Sequence, residues 1–187
     1  AMSKRAKSAD QLTGGTGDVS PQYFALPSNT LSAANTYTEG AIPTPVPRNK
    51  VQGDRVTVME VLKIFFNNPE PDNNPTAGGS LVSASAQLST SSLSSSSLGN
   101  NKVFAFCEKV VRGAFTAAGS YSSEIMDPYC FDCTDGAGHG ILVATDNIYF
   151  GCTTAGFTAA ASFNARILYR MKSITLAEYI GIVQSQQ

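Results

Sequence analysis

The sequence is poor in charge. Asp, Glu, Lys and Arg make up 14% of its 187 residues, where an ordinary globular chain carries about a quarter. Its surface must therefore be built from Ser, Thr, Asn, Gln and Gly, which suits an extracellular, particle or packed-lattice setting. The formal net charge is −1. That excludes a general DNA-binding surface, because phosphate binding needs concentrated positive charge. No apolar run reaches the length of about eighteen residues that a membrane span needs, so no span is expected. No basic segment followed by an apolar run marks a secretory leader. Without one, the four cysteines, Cys107, Cys130, Cys133 and Cys152, are expected as free buried thiols rather than disulfides.

Signals for catalysis are equally sparse. His139 is the single histidine and stands between Gly138 and Gly140. As a base it would need a nucleophile and an orienting group within reach. Ser122, Ser173 and several aspartates exist, but in a serine-rich chain their presence carries no information. The glycine runs at 14–17 and 136–140 lack the Lys-Ser/Thr ending of a phosphate loop and the spacing of a dinucleotide fingerprint. The chain is not expected to be an enzyme.

The sharpest local motif is Cys130-Phe-Asp-Cys133. Thiolates at this spacing occur in zinc sites, which take about four ligands; Cys107, Cys152 and His139 could complete one. The competing reading is that each thiol is a small hydrophobe in an apolar β segment. Asp132 and Asp135, with Asp127, could offer oxygen ligands to calcium at a subunit interface. Gly136 follows Asp135 directly, and no closing glutamate comes after it. The competing reading there is a tight turn in which aspartate caps its own backbone. Apart from these candidates no cofactor is expected.

What the chain does have is asymmetry. A basic stub, Lys4-Arg5-Ala6-Lys7, leads into a turn-rich segment, Gly14-Gly15-Thr16-Gly17-Asp18. Pro21, Pro27, Pro43, Pro45 and Pro47 then favour extended backbone over helix. Tyr23, Phe24 and Leu26 could anchor this arm on a neighbouring surface, or form an ordinary first strand packed on their own domain. The body holds short β-branched segments. Arg55–Phe66 fits a helix stripe at Val58, Val61, Leu62 and Phe65, but its composition favours a strand. In residues 80–98, Val82, Ala84, Ala86 and Leu88 alternate with Ser83, Ser85 and Gln87, as in an edge-like strand. The run from Ser91 to Ser97 reads as a loop, with disorder an option. Lys102–Arg112 and Gly140–Phe150 are further strand candidates. Arg166–Lys172 is the cleanest: Ile167, Tyr169 and Met171 face one way, Arg166, Arg170 and Lys172 the other. Ile174–Val183 is a last strand or a short helix, with capping-box spacing at Thr175 and Glu178.

Modest strands separated by turn-rich loops read as a sandwich or barrel. The domain plan is an arm over 1–22 and one β domain over 23–187. A flexible cationic arm neutralises phosphate without reading bases, and Lys4, Arg5 and Lys7 are the candidate nucleic-acid contacts. A basic arm on a β-rich body points to a shell-forming subunit that holds nucleic acid behind it.

Three strings carry a family resemblance: Leu12–Gln22 behind the basic stub, Val58–Phe66, and Tyr169–Gln187. Together they resemble capsid proteins of small circular single-stranded DNA viruses and related environmental viruses. The resemblance implies a single antiparallel jelly roll of two four-stranded sheets, with an extended N-terminal arm directed at a single-stranded DNA genome. It also implies self-assembly of about sixty or more copies into a small icosahedral shell, in the virion and, during assembly, the host nucleus or cytoplasm. The stub is less basic than such arms usually are. Loops at 67–75, 89–98 and 134–140 are candidates for subunit contacts or for a host receptor. Other readings of a β-sandwich are a carbohydrate-binding or host-adhesion module, and a trimeric spike or fibre head.

Overall fold

A computed structural model of the chain describes residues 21–25, 29–30, 34–47, 51–69, 81–112, 114–115, 121–122 and 130–186. Lys4, Arg5, Lys7, Asp127 and most of the 67–75 loop lie outside them. The strands in chain order are β1 (Gln22–Ala25), β2 (Asn29–Thr30), β3 (Thr38–Pro43), β4 (Val51–Gln52), β5 (Arg55–Asn67), β6 (Leu81–Ser89) and β7 (Val103–Arg112). They continue with β8 (Ala114–Phe115), β9 (Tyr121–Ser122), β10 (Cys130–Asp132), β11 (Ile141–Val143), β12 (Asn147–Ala155) and β13 (Ser162–Thr175). One helix, α1 (Leu176–Gln186), closes the described chain.

The pairing is that of a long hairpin rolled up on itself. From the inside outward, β6 pairs with β7, β5 with β10 and β11, β3 with β12, and β1 with β13, all antiparallel. Rolling then joins β13 to β5 and β12 to β6. The outcome is two facing sheets, β1-β13-β5-β10 with β11 beside β10 on β5, and β3-β12-β6-β7. This is the jelly-roll sandwich. Its core is filled by Phe66, Phe150, Phe163, Ile64, Ile148, Ile167, Leu88 and Met59, each at most 2% exposed.

Two local expectations change. The serine-rich segment of β6 is not at an edge: it lies between β12 and β7. Its small residues fit there because Val82, Ala84, Ala86 and Leu88 face the core, while the serine side is roofed by the following loop. That loop, 90–98, is folded down as a strap on side-chain hydrogen bonds. And Arg55–Phe66 is strand throughout, buried on both faces over much of its length, which is why its apolar pattern mimics a helix.

A β-bulge explains the double burial. Lys63 sits opposite Leu168 and Val61 opposite Tyr169, so Leu62 has no partner on β13. The extra residue turns the strand over. Met59 and Val61 before it, and Ile64 and Phe66 after it, all face the main core. Val56 and Val58 thus face outward, where α1 covers them. They form a second cluster with Ala144 and Ile174, against which Tyr179, Ile182 and Val183 of the helix pack. The helix begins at a capping box: Thr175 N donates to Glu178 Oε2 at 2.8 Å, and Glu178 N donates to Thr175 Oγ1 at 3.3 Å.

Candidate functional site

The register of the first sheet divides its outer side in two. At one end, two rows of side chains are open to solvent. Ala25, Arg166, Phe65 and Cys130 form one row, and Tyr23, Leu168, Lys63 and Asp132 the next. Between them the row Phe24, Ile167, Ile64, Phe131 points into the core, as period-two alternation requires. Tyr23 is 61% exposed. Its ring lies 6.3 Å from that of Phe65, and the Arg166 guanidinium stands 5.7 Å from its centroid. A groove of about 570 Å³ runs along this end, lined by Tyr23, Phe65, Arg166, Asn67 and Asn164 among others. An aromatic platform beside a guanidinium and two carboxamides suits a ligand with one flat apolar face and an acidic or hydroxyl-rich rim.

β1 is thus an ordinary first strand: Phe24 packs on its own core. Tyr23 is the residue left facing out. Alternation along β13 foretold that Arg166 lies on the solvent side. Nothing local in the sequence showed that Tyr23 and Phe65, about forty residues apart, would meet it there.

The other end of the same outer face is closed. Glu60 is fully buried, hydrogen-bonded to Arg170 Nε, with Lys172 Nζ at 3.2 Å and the Gly140 amide donating at 3.0 Å. Arg170 also donates to the Gly138 carbonyl at 3.2 Å. This cluster ties the 133–140 loop to the sheet. Burial by itself would raise the Glu60 carboxyl; the hydrogen bonds from Arg170, Gly140 and Lys172 outweigh it and hold the group below the usual range. Gly140 is needed for the fit, since a Cβ there would stand 2.1 Å from the Val61 carbonyl oxygen.

The two candidate calcium ligands serve the same loop. Asp132 accepts from Thr134 Oγ1 at 2.6 Å and Thr134 N at 2.9 Å, and pairs with Lys63 at 3.2 Å. These contacts, the Thr134 hydroxyl first, hold its carboxyl at about 2. Asp135 accepts from His139 N at 2.8 Å and Ala137 N at 2.9 Å, with His139 Nδ1 at 3.1 Å. His139 is exposed and its contacts are those of a turn.

The cysteines do not converge. Cys130 is exposed, whereas Cys133, with Phe131, packs against the core. Burial, then the Asp132 charge, push the Cys133 thiol up to about 12, as befits a small hydrophobe packed on the core. Cys107 and Cys152 are buried on either side of Ala86. Two strand spacings, roughly 9–10 Å, separate their backbones, beyond the reach of a disulfide. Among the described residues no group of three or more His, Cys, Asp or Glu side chains gathers as a metal site, and no helix is long and apolar enough to cross a membrane.

On the second sheet the strap is held by two polar side chains, Glu39, half-buried, and Gln87, buried. Glu39 accepts from Tyr37 Oη at 2.8 Å, Ser92 Oγ at 2.7 Å and Leu93 N at 3.1 Å. Gln87, fully buried, donates to Tyr37 Oη at 3.0 Å and Ser95 O at 3.2 Å, and accepts from Ser97 N at 3.0 Å. Burial, then Glu39, push the Tyr37 hydroxyl well above the usual phenol range, so it remains a donor. Net hydrogen bonds contribute about 0.5–1.5 kcal/mol each, against about 1.5–3 kcal/mol for one buried core Phe or Leu. The strap is accordingly the weaker layer.

No family model and no curated protein matches the chain. Among solved structures it is similar to VP1 of Trichodysplasia spinulosa-associated polyomavirus in complex with 3'-sialyllactose. The TM-score is 0.57 at 9% identity, covering 84% of this chain and 97% of that one. The same virus's VP1 in complex with GM1 oligosaccharide gives 0.54 at 9% identity, covering 86% and 97%. Its VP1 without a named ligand gives 0.51 at 9%, covering 83% and 96%. These neighbours overturn the resemblance drawn from the sequence. They come from polyomaviruses, whose genomes are circular double-stranded DNA, not from single-stranded DNA viruses, and a single-stranded DNA genome as partner falls with it. The physical reason is that two of the three strings that carried it form β5, the end of β13 and α1. Those segments fill a sheet and cap it; they report a fold, not a genome. At 9% identity the likeness establishes an all-β jelly-roll sandwich of the kind seen in polyomavirus VP1 capsid chains.

Proposed function

We propose that this chain is a viral capsid protein that self-assembles into a closed shell around nucleic acid. The observation that carries the reading is the rolled-hairpin topology, which aligns with 97% of a VP1 chain. The charge-poor polar surface, 14% charged residues, supports it. Assembly would place the chain in the virion, after folding in the host nucleus or cytoplasm. Lys4, Arg5 and Lys7 would face the packaged nucleic acid. Purified protein is expected to form particles of uniform diameter in negative stain, and neutral replacements at these three positions should lower the nucleic acid that copurifies and its salt dependence. Monomers or trimers alone, across salt and pH, would reject the shell and favour a spike or adhesion module.

The groove at Tyr23, Phe65 and Arg166 favours a second activity on the same subunit: recognition of an acidic host glycan. Two similar VP1 structures are complexes with 3'-sialyllactose and GM1 oligosaccharide, and the groove offers an aromatic face for a sugar ring and a guanidinium for a carboxylate. Saturation-transfer NMR with 3'-sialyllactose should show contact that Arg166→Ala weakens at least tenfold, with lactose binding much more weakly than the sialylated sugar. Equal signals from the two sugars would remove this role for Arg166.

A further inference from the structure

We propose that the cleft between the strap and the C-terminal half of α1 is a binding site for a neutral, hydroxyl-rich ligand, a neutral saccharide chain. The site is separate from the groove at Tyr23, Phe65 and Arg166 and does not depend on the shell reading. Its volume is about 410 Å³, within the range of about 300–1,000 Å³ common for small-ligand sites. Three segments meet there: the start of the strap at Thr90, the turn 144–147 between β11 and β12, and the face of α1 that carries Tyr179, Val183 and Gln186.

Each wall is fixed by its own bonds. The Gln186 carboxamide accepts from Ala144 N at 3.0 Å and donates to the Leu142 carbonyl at 2.6 Å, which pins the helix end to β11. Thr90 Oγ1 donates to the Gln186 carbonyl at 3.0 Å, and Lys102 Nζ to the Ser185 carbonyl at 3.1 Å, so strap and helix are joined. Thr145 Oγ1 donates to the Asn147 carbonyl at 2.8 Å and Thr44 N to the Asp146 carbonyl at 2.9 Å, which sets the turn. A cleft already in shape loses little ordering entropy when a ligand enters.

Within this frame three polar side chains are left over. Tyr149 stands on the side of β12 turned away from the core, since Ile148 and Phe150 point inward. Its hydroxyl, the Asn147 carboxamide and the Ser91 hydroxyl belong to half-buried residues that line the cleft. None of the three has a hydrogen-bond partner among the described residues. They offer donors and acceptors at three points, whereas the hydroxyls of Thr90, Ser92 and Thr145 beside them are taken up inside the fold. The rings of Tyr149 and Tyr179 supply flat apolar surface that a sugar ring can cover. The charge of the lining decides the ligand class. Asp146 is its one charged side chain, and no Lys or Arg lines it among the described residues. A carboxylate accepts strongly from hydroxyls but repels an acidic sugar. A cation brings donors only and would leave the Asn147 amide N–H groups idle. A neutral polyhydroxyl ligand uses all of them.

Ser91→Ala combined with Asn147→Ala separates binding from folding. Neither side chain has a partner among the described residues, so the thermal midpoint should move by no more than about 2 °C. Amide NMR titrations with maltotriose and with triacetylchitotriose should shift the Ser91, Ser92 and Asn147 amides of the wild type. The double variant should bind about tenfold more weakly, and Arg166→Ala should bind as the wild type does. No shift at these amides with either sugar at about 10 mM, or equal affinity in the double variant, overturns the site. So does a larger fall in midpoint, which would assign the two side chains to folding. Binding of 3'-sialyllactose at Arg166 is read from other amides, so either site can fail without the other.

Discussion

Glu60→Ala is expected to lower the thermal midpoint by about 6–12 °C, the equivalent of about 3 kcal/mol in a chain of this size. The substitution removes the one acceptor that serves Arg170, Lys172 and the Gly140 amide together. Removing one partner of a buried pair costs about 3–5 kcal/mol, chiefly by stranding the other charge. The lower bound applies here because Arg170 and Lys172 keep side-chain exposures of 23% and 33% and so retain some water. The effect should depend on pH. The Glu60 carboxyl titrates below its ordinary 4.5 in the folded protein. A lowered folded value means the contribution is complete above the unfolded value and is lost as pH falls through the folded one. The gap between wild type and variant should therefore be widest near neutrality and narrow below about pH 4. Thermal melts across pH decide it: no gap at neutral pH, or one that persists unchanged in acid, would show that Glu60 is not the anchor of the 133–140 loop.

Gly151→Val should loosen the second sheet's outer layer while leaving the sandwich core intact. Even the first carbon of the new side chain would lie 2.2 Å from Tyr37 Oη and 2.8 Å from its Cζ, so the tyrosine must leave. With it go its bonds to Glu39 and Gln87, and Gln87 is fully buried. A buried polar group left without its partner costs about 1–3 kcal/mol, so a loss of about 2–4 kcal/mol is expected. Hydrogen exchange gives the diagnostic readout. The amides of Leu93 and Ser97, held by Glu39 and Gln87, should lose protection, whereas those of β5 and β13 should keep theirs. Uniform loss of protection across both sheets would mean that Gly151 serves the core rather than the strap.

The strap shows why a serine-rich segment is hard to read. Runs of serine signal a loop, and Ser91–Ser97 is one, but composition does not reveal whether a loop is free or fastened. The fastening comes from Glu39 and Gln87, roughly fifty and ten residues away, on strands that meet only when β3, β12 and β6 come together. The small alternating residues of β6 looked suited to an edge for the same reason: their serine side needs cover, and solvent is the default until a strap is known to lie over it. The 55–66 segment carried a helix-like stripe because Leu62 shifts the face of its strand, and a bulge has no local signature where apolar residues stand on both faces of the strand. Where one end of an element is self-contained, the reading held. Alternation sorted Ile167 and Tyr169 from Arg166 and Arg170; over Ile174–Val183 the sequence left strand and helix both open, and the structure ends the strand at Thr175 and starts a helix on the Thr175–Glu178 capping box.

By itself the sequence determined the class of the fold: short, β-branched, period-two segments divided by turns can bury an apolar face only by stacking sheets. It also determined the uncharged polar surface, because side-chain chemistry is local. The tertiary structure alone decided which strands are neighbours. Pairs such as Tyr23 with Phe65, Glu60 with Arg170 and Tyr37 with Gly151 are distant in the chain. They are brought together by the order in which a rolled hairpin joins its strands, and that order is set by long-range hydrogen bonding and core packing rather than by any residue's own preference.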